Sequence, residues 1–153
     1  MNSTDSPTYI AIGDIHGCAK TLSALLADLD DKFGTSVEYV FLGDYVDRGP
    51  DSHSVIDQCI EFSSTHSCIF IRGNHDLMML RAFERGGAKA LMNNWPRFGG
   101  DETMASYKYE VPQEHLDFLE QTVIFLDTED YFFVHASAPT SVSIAEGMRQ
   151  KDA

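Results

Sequence analysis

Three short clusters in this chain carry the residue types of a metal site: Gly13-Asp14-Ile15-His16-Gly17, Gly43-Asp44-Tyr45-Val46-Asp47-Arg48-Gly49 and Arg72-Gly73-Asn74-His75-Asp76. Asp14 and His16, two residues apart, offer a carboxylate and an imidazole to one side of a loop, a pair suited to Mn, Fe or Zn. Asp44 has two oxygens with which to bridge two ions. Asn74 adds a carbonyl oxygen and His135 a further imidazole. Two divalent ions roughly 3.5–4 Å apart hold a phosphoryl oxygen and make hydroxide from water at neutral pH. Arg48 and Arg72 supply planar forks for the remaining phosphate oxygens. His75, next to Asn74, is placed to protonate a leaving oxygen, and Asp47 to hold that imidazole in its charged form.

Each piece alone has a plainer reading. A Gly-Asp after a strand is usually an Asx turn, and His135 by itself reads as a satisfied core histidine. What argues for a site is position, because every cluster ends its own apolar run: Tyr9–Ile12, Glu38–Leu42 and Cys68–Ile71. Such runs, alternating with amphipathic helices, predict buried parallel strands, and ligands gather at the carboxyl ends of such strands. Leu22, Leu25, Leu26, Leu29 and Phe33 mark one face of a helix over 18–33, ended by Gly34. Asp51 or Ser52 caps the next, which turns Val55, Ile56, Cys59 and Ile60 inward. Helices are expected over 75–85, 88–95 and about 101–107. Pro112 suits position N1 of a last helix, whose face Leu116, Leu119 and Val123 continue. Runs at 123–126 and 131–134, separated by Thr128-Glu129-Asp130, predict a hairpin. Tyr45, Trp95 and Met78-Met79 read as packing, and Glu114 and Asp117 as a solvated, dipole-favoured face. His53, His66 and His115 read as surface.

The 153 residues predict one domain, 1–153, large enough for a real core. With 11 basic and 24 acidic residues the formal charge is −13, which excludes a general nucleic-acid binder and disfavours anionic lipid. No apolar run is long enough for a membrane span. Three cysteines without a C-x-x-C read as free thiols of a cytoplasmic protein. Cys59 and Cys68 fall on apolar faces. Cys18 sits at a helix start, where a thiolate is favoured, but packing is the better expectation.

In order and spacing, G-D-x-H-G, G-D-Y-V-D-R-G and R-G-N-H-D closely resemble the motifs of the phosphoprotein phosphatases, within the calcineurin-like metallophosphoesterases. Phe133-Val134-His135-Ala136 resembles the fourth motif, and Trp95, Gly99-Gly100, Thr103 and Ser106-Tyr107 resemble the middle of bacterial members. The resemblance implies an α/β fold, the αββα metallophosphatase sandwich, with an incomplete second sheet. It also implies two divalent ions, Mn first with Fe or Zn as alternatives: Asp14 and His16 bind the first, Asp44 bridges, and Asn74 and His135 bind the second. Arg48 and Arg72 would bind phosphate, and His75 with Asp47 would form the acid dyad. Three positions depart from the family pattern. Asp76 stands where many relatives have Glu, and Ala136-Ser137-Ala138 replaces the usual glycine-containing loop. The sequence ends at Ala153 before the further metal-ligating His of the family, so either a fragment of a longer protein or a degraded form of the domain is expected. The first expected function is a metal-dependent phosphomonoesterase acting on phosphoserine and phosphothreonine in proteins, or on small phosphate esters. A dinucleoside polyphosphate hydrolase is the alternative, and a non-catalytic truncated fragment the third reading.

Overall fold

The computed structural model describes residues 7–84 and 94–136. Three strands, β1 (Tyr9–Ile12), β2 (Glu38–Phe41) and β3 (Cys68–Phe70), form a parallel sheet in that spatial order. Tyr9 lies opposite Glu38, and Tyr39 opposite Cys68. The central strand buries Tyr39, Val40 and Phe41 completely, as a strand covered on both faces must. Helices α1 (Ala19–Phe33), α2 (Ser52–Ser63) and α3 (Asn74–Phe83) follow the three strands in turn. Asp51 caps α2 by accepting the Ser54 N–H at 3.0 Å.

The remaining described chain comprises a 3₁₀ turn at Trp95–Phe98, α4 (Gly100–Ser106), α5 (Gln113–Gln121), β4 (Phe125–Asp127) and β5 (Phe132–Val134). The helix expected over 88–95 lies mostly outside the described residues. Pro112 is the N-cap of α5, one position earlier than predicted. Val123 does not continue the α5 face and does not open the hairpin. It forms a parallel bridge with Ile71, donating to Phe70 O at 2.9 Å while its carbonyl accepts the Arg72 N–H at 2.7 Å. The free edge of β3 offers unpaired backbone groups, and these hydrogen bonds outweigh the continuation of a helical stripe. The antiparallel hairpin therefore begins at Phe125, which faces Val134. Tyr9 of β1 packs against Tyr131 and Phe133, with ring centroids 6.0 and 5.4 Å away.

The buried stripe of α1 is narrower than predicted. Ala19, Leu22 and Leu26 are buried, whereas Leu25 at the margin and Phe33 at the last residue remain 38% and 39% exposed. His115 is also not a surface residue. It is 3% exposed because Tyr107 Oη and Asp57 Oδ1 satisfy its two nitrogens at 2.9 and 3.1 Å, which makes its burial affordable in hydrogen bonds. His66 stacks on Phe62 at 3.9 Å, with its side chain 8% exposed.

Among the thiols, Cys59 is buried, Cys68 half-buried and Cys18 exposed, so the packing role expected for Cys18 is not observed. The preceding Ile15 goes inward instead. Burial, with a smaller push from Glu38, raises the Cys68 thiol to about 12, and burial raises Cys59 further. Only thiolates attack disulfide reagents. In the native protein at mildly alkaline pH, Ellman's reagent should therefore label Cys18 rapidly and the other two only after urea is added. Rapid labelling of more than one thiol in the native state would contradict this burial.

Candidate dinuclear metal centre

The loops after β1, β2 and β3 converge at the carboxyl end of the sheet, and the first two leave their strands through conformations few residues adopt. His16, Asp44, Asp47 and Arg48 all have positive φ, at 44, 55, 73 and 68°. These are left-handed values that cost non-glycine residues free energy and persist only where the surroundings enforce them. Close backbone approach does part of the enforcing. A Cβ at Gly73 would run into the Asp44 carboxylate and backbone, and one at Gly49 into His16 O. Asp76, one turn into α3, does the rest. Its Oδ2 accepts N–H groups of Asp44 and Gly73 at 2.8 Å each, and its Oδ1 accepts that of Tyr45 at 2.9 Å.

The Asp44 carboxylate, itself nearly buried, lies between two imidazoles. Oδ2 is 3.4 Å from His16 Nε2, and Oδ1 is 3.4 Å from His135 Nε2. Asp14 reaches toward both histidines, each of its oxygens 4.0 Å from one of them. Asn74 Oδ1 lies 3.2 Å from His135 Nε2. Ligand atoms of Asp14, Asp44 and His135 lie within 4.8 Å of one another, as do those of His16, Asp44 and His75. Asp14 lies 4.0 Å from its predicted partner His16 and equally far from His135.

The proton positions test whether this donor set suits cations. His16 Nδ1 is 2.9 Å from Val46 O, and His135 Nδ1 is 2.8 Å from Leu42 O. A carbonyl only accepts, so each ring carries a proton on Nδ1, and in its neutral form presents the Nε2 lone pair. The His135 Nε2 faces Asp44 and Asn74 oxygens and the His16 Nε2 faces Asp44 and Asp14 oxygens beside an Arg48 N–H; for neutral rings, a cation among these atoms relieves the repulsion between lone pairs and oxygens. A backbone carbonyl fixing the far nitrogen of each ligating His is the usual support of a metal site. The donors therefore fit two hard or borderline divalent ions such as Mn.

Beside this cluster stands the Asp47–His75 pair, both buried. His75 Nδ1 donates to Asp47 Oδ2 at 2.7 Å, and Arg48 Nη2 donates to His75 Nε2 at 3.0 Å. Arg48 Nη1 lies 3.0 Å from His16 Nε2, so this guanidinium spans the mouth between the two rings. Burial pushes the Asp47 carboxyl upward, and hydrogen bonds from His75, Thr103 and Trp95 pull against it. Trp95 Nε1 donates at 2.9–3.0 Å and Thr103 Oγ1 at 2.8 Å. Trp95 is thus more than packing: a buried indole N–H needs an acceptor, and here that acceptor is the carboxylate of the dyad. Gly99 O accepts the Arg48 N–H at 3.3 Å.

Arg72 is not gathered with Arg48. Its Nε donates to Thr122 Oγ1 at 2.8 Å, and its Nη2 lies 2.7–3.0 Å from the carbonyls of Leu119, Glu120 and Thr122. It closes the C-terminal end of α5, where unpaired carbonyls attract a cation.

Residues 7–150 match the family model described as Calcineurin-like phosphoesterase. The chain is 31% identical over 148 residues to a symmetrical bis(5'-nucleosyl)-tetraphosphatase of Stutzerimonas stutzeri, covering 94% of this chain and 49% of that protein. It is 29% identical over 144 residues to the asymmetrical bis(5'-nucleosyl)-tetraphosphatase PrpE of Oceanobacillus iheyensis, covering 84% and 55%. A metallophosphoesterase crystal structure from Sphaerobacter thermophilus superposes with a TM-score of 0.55 at 22% identity, over 84% of this chain and 46% of that one. The chain thus spans about half the length of these two curated relatives.

Proposed function

Because the chain belongs to the calcineurin-like phosphoesterase family, we propose that it supplies the metal-dependent hydrolytic site of an enzyme acting on dinucleoside polyphosphates. The observation that carries this reading is the pair of tetraphosphatase relatives matched over 84–94% of the chain. It reverses the order expected from the motifs, which placed phosphoserine and phosphothreonine first.

Asp14, His16, Asp44, Asn74 and His135 would hold the two ions. When bound there, divalent ions supply Lewis acidity toward phosphoryl oxygens and lower the pKa of water. The chain's own contribution is positioning and proton handling. Arg48 already directs its N–H groups into the gap between His16 and His75. A phosphate oxygen arriving in that gap is a stronger acceptor than a neutral ring nitrogen and draws the guanidinium to itself. His75 Nε2 is then free to take up a proton. Asp47, oriented by Trp95 and Thr103, stabilises the resulting imidazolium through Nδ1. As the oxygen of water bonds to phosphorus it gives up one proton to bulk solvent, and as the phosphoanhydride P–O bond breaks the Nε2 proton passes to the departing phosphate oxygen.

The test is hydrolysis by the purified chain with Mn²⁺ of diadenosine tetraphosphate, a phosphoserine peptide and an aryl phosphate, with nucleotide products separated by anion exchange. Preferential cleavage of the dinucleotide is expected. Two ADP per substrate marks symmetrical cleavage, and AMP with ATP asymmetrical cleavage. Preference for the phosphopeptide restores the protein-phosphatase reading. No turnover of any substrate, with metal bound, supports the non-catalytic fragment.

A further inference from the structure

Away from the dinuclear centre, His53, Asp57 and His115 form a second cluster with ligand atoms within 4.8 Å of one another. His53 and Asp57 stand four residues apart on α2, which places them on one face of the helix. Asp57 Oδ2 lies 2.9 Å from His53 Nδ1, and its Oδ1 lies 3.1 Å from His115 Nε2, which α5 contributes. The two rings are 5.1 Å apart. His115 is oriented from behind by Tyr107 Oη, 2.9 Å from Nδ1, and Tyr107 is itself 4% exposed. The aromatic faces of His53 and Tyr107 pack at 5.0 Å.

We infer that His53, Asp57 and His115 form a third metal site, for a single borderline transition-metal ion of the zinc type, that joins α2 to α5. Two imidazoles and one carboxylate are a donor set that zinc takes readily, at roughly 2.0–2.2 Å per bond. Hard ions such as Mg²⁺ or Ca²⁺, which seek oxygen ligands, are poorly served. The Asp57 and His53 side chains are 52% and 39% exposed, so the ion enters from solvent and water completes its coordination. The His115 side chain, 4% exposed, anchors the inner side. Nδ1–H can donate to the Tyr107 oxygen once Nε2 binds metal, the supporting contact usual behind a ligating histidine.

Such a site is adjacent to the acid dyad without belonging to it. The His53 N–H donates to Ser106 Oγ at 3.2 Å. Ser106 Oγ in turn donates to Thr103 O at 2.7 Å, and Thr103 holds Asp47.

The test is equilibrium dialysis of the chain against Zn²⁺ with metal counted by mass spectrometry, comparing the parent with His53→Gln, Asp57→Asn and His115→Gln. Each variant should bind one zinc fewer than the parent, while His66→Gln should bind the same number. Tyr107→Phe should retain the site with about 10–100-fold weaker affinity, the usual effect of removing a supporting contact. Co²⁺ in place of Zn²⁺ should show visible ligand-field bands that decrease in the same variants. Should His115→Gln fail to fold, the two more exposed positions decide, provided their circular dichroism and melting in chelator match the parent. Equal zinc stoichiometry in the parent, His53→Gln and Asp57→Asn overturns the site and leaves a hydrogen-bonded cluster only.

Discussion

His75→Asn lowers kcat by about 10²–10⁴-fold, the range expected when a general acid is removed, and leaves KM nearly unchanged because the proton matters only in the transition state. The size of the loss depends on the departing oxygen. Serine alkoxide needs the proton most, and a nucleoside phosphate or aryl oxide needs it least. The deficit should therefore be greatest on a phosphoserine peptide and smaller on diadenosine tetraphosphate or an aryl phosphate. Asp47→Asn should follow the same order, since Asp47 Oδ2 accepts the Nδ1 proton at 2.7 Å. Steady-state kinetics across a series of leaving groups measures this directly. An equal loss on every substrate would mean that His75 orients Arg48, which it meets at 3.0 Å, and does not protonate the leaving group.

Asp76→Ala destabilises the chain by several kcal/mol and weakens Mn²⁺ binding. The carboxylate accepts three N–H groups, those of Gly73, Asp44 and Tyr45. It does so from a fully buried position, where burial raises its pKa to about 6 despite those bonds. Removing it leaves three donors without an acceptor, at about 1–3 kcal/mol each, against a whole-domain stability of about 5–15 kcal/mol. The left-handed Asp44, at φ 55°, then loses the contact that holds it, and its bridging carboxylate moves. Urea unfolding followed by tryptophan fluorescence, together with Mn²⁺ titration, checks both effects. A midpoint and an affinity equal to the parent's would show that the glycine contacts alone hold the loop.

The strand-loop-helix order was legible because short continuous apolar runs give way to helical spacing after each glycine-containing cluster. Much of the candidate site was legible because its chemistry is carried by residue type. What could not be read was where a side chain finds its partner along the chain. The residues that hold Asp47, Trp95 and Thr103, lie 48 and 56 positions away, and neither looks like catalytic machinery. Arg72 has the composition of a phosphate ligand, yet its guanidinium is drawn to the end of a helix 47–50 residues downstream. His115 was read as surface because its partners come from α2 and from the turn after α4. Asp76, legible only as a departure from the Glu of many relatives, shapes the backbone beneath Asp44 by accepting three N–H groups.

The left-handed backbone at His16, Asp44, Asp47 and Arg48 bears on whether these motifs are portable. A short peptide carrying Gly43 to Gly49 would relax to right-handed or extended φ, because the Asp76 carboxylate and the Gly99 carbonyl that hold it come from elsewhere in the chain. The motif is therefore a joint and not a cassette. Transplanting it into another sheet transfers its letters without its shape, unless the neighbouring strand end, the first turn of its helix and the loop at Gly99 are carried with it.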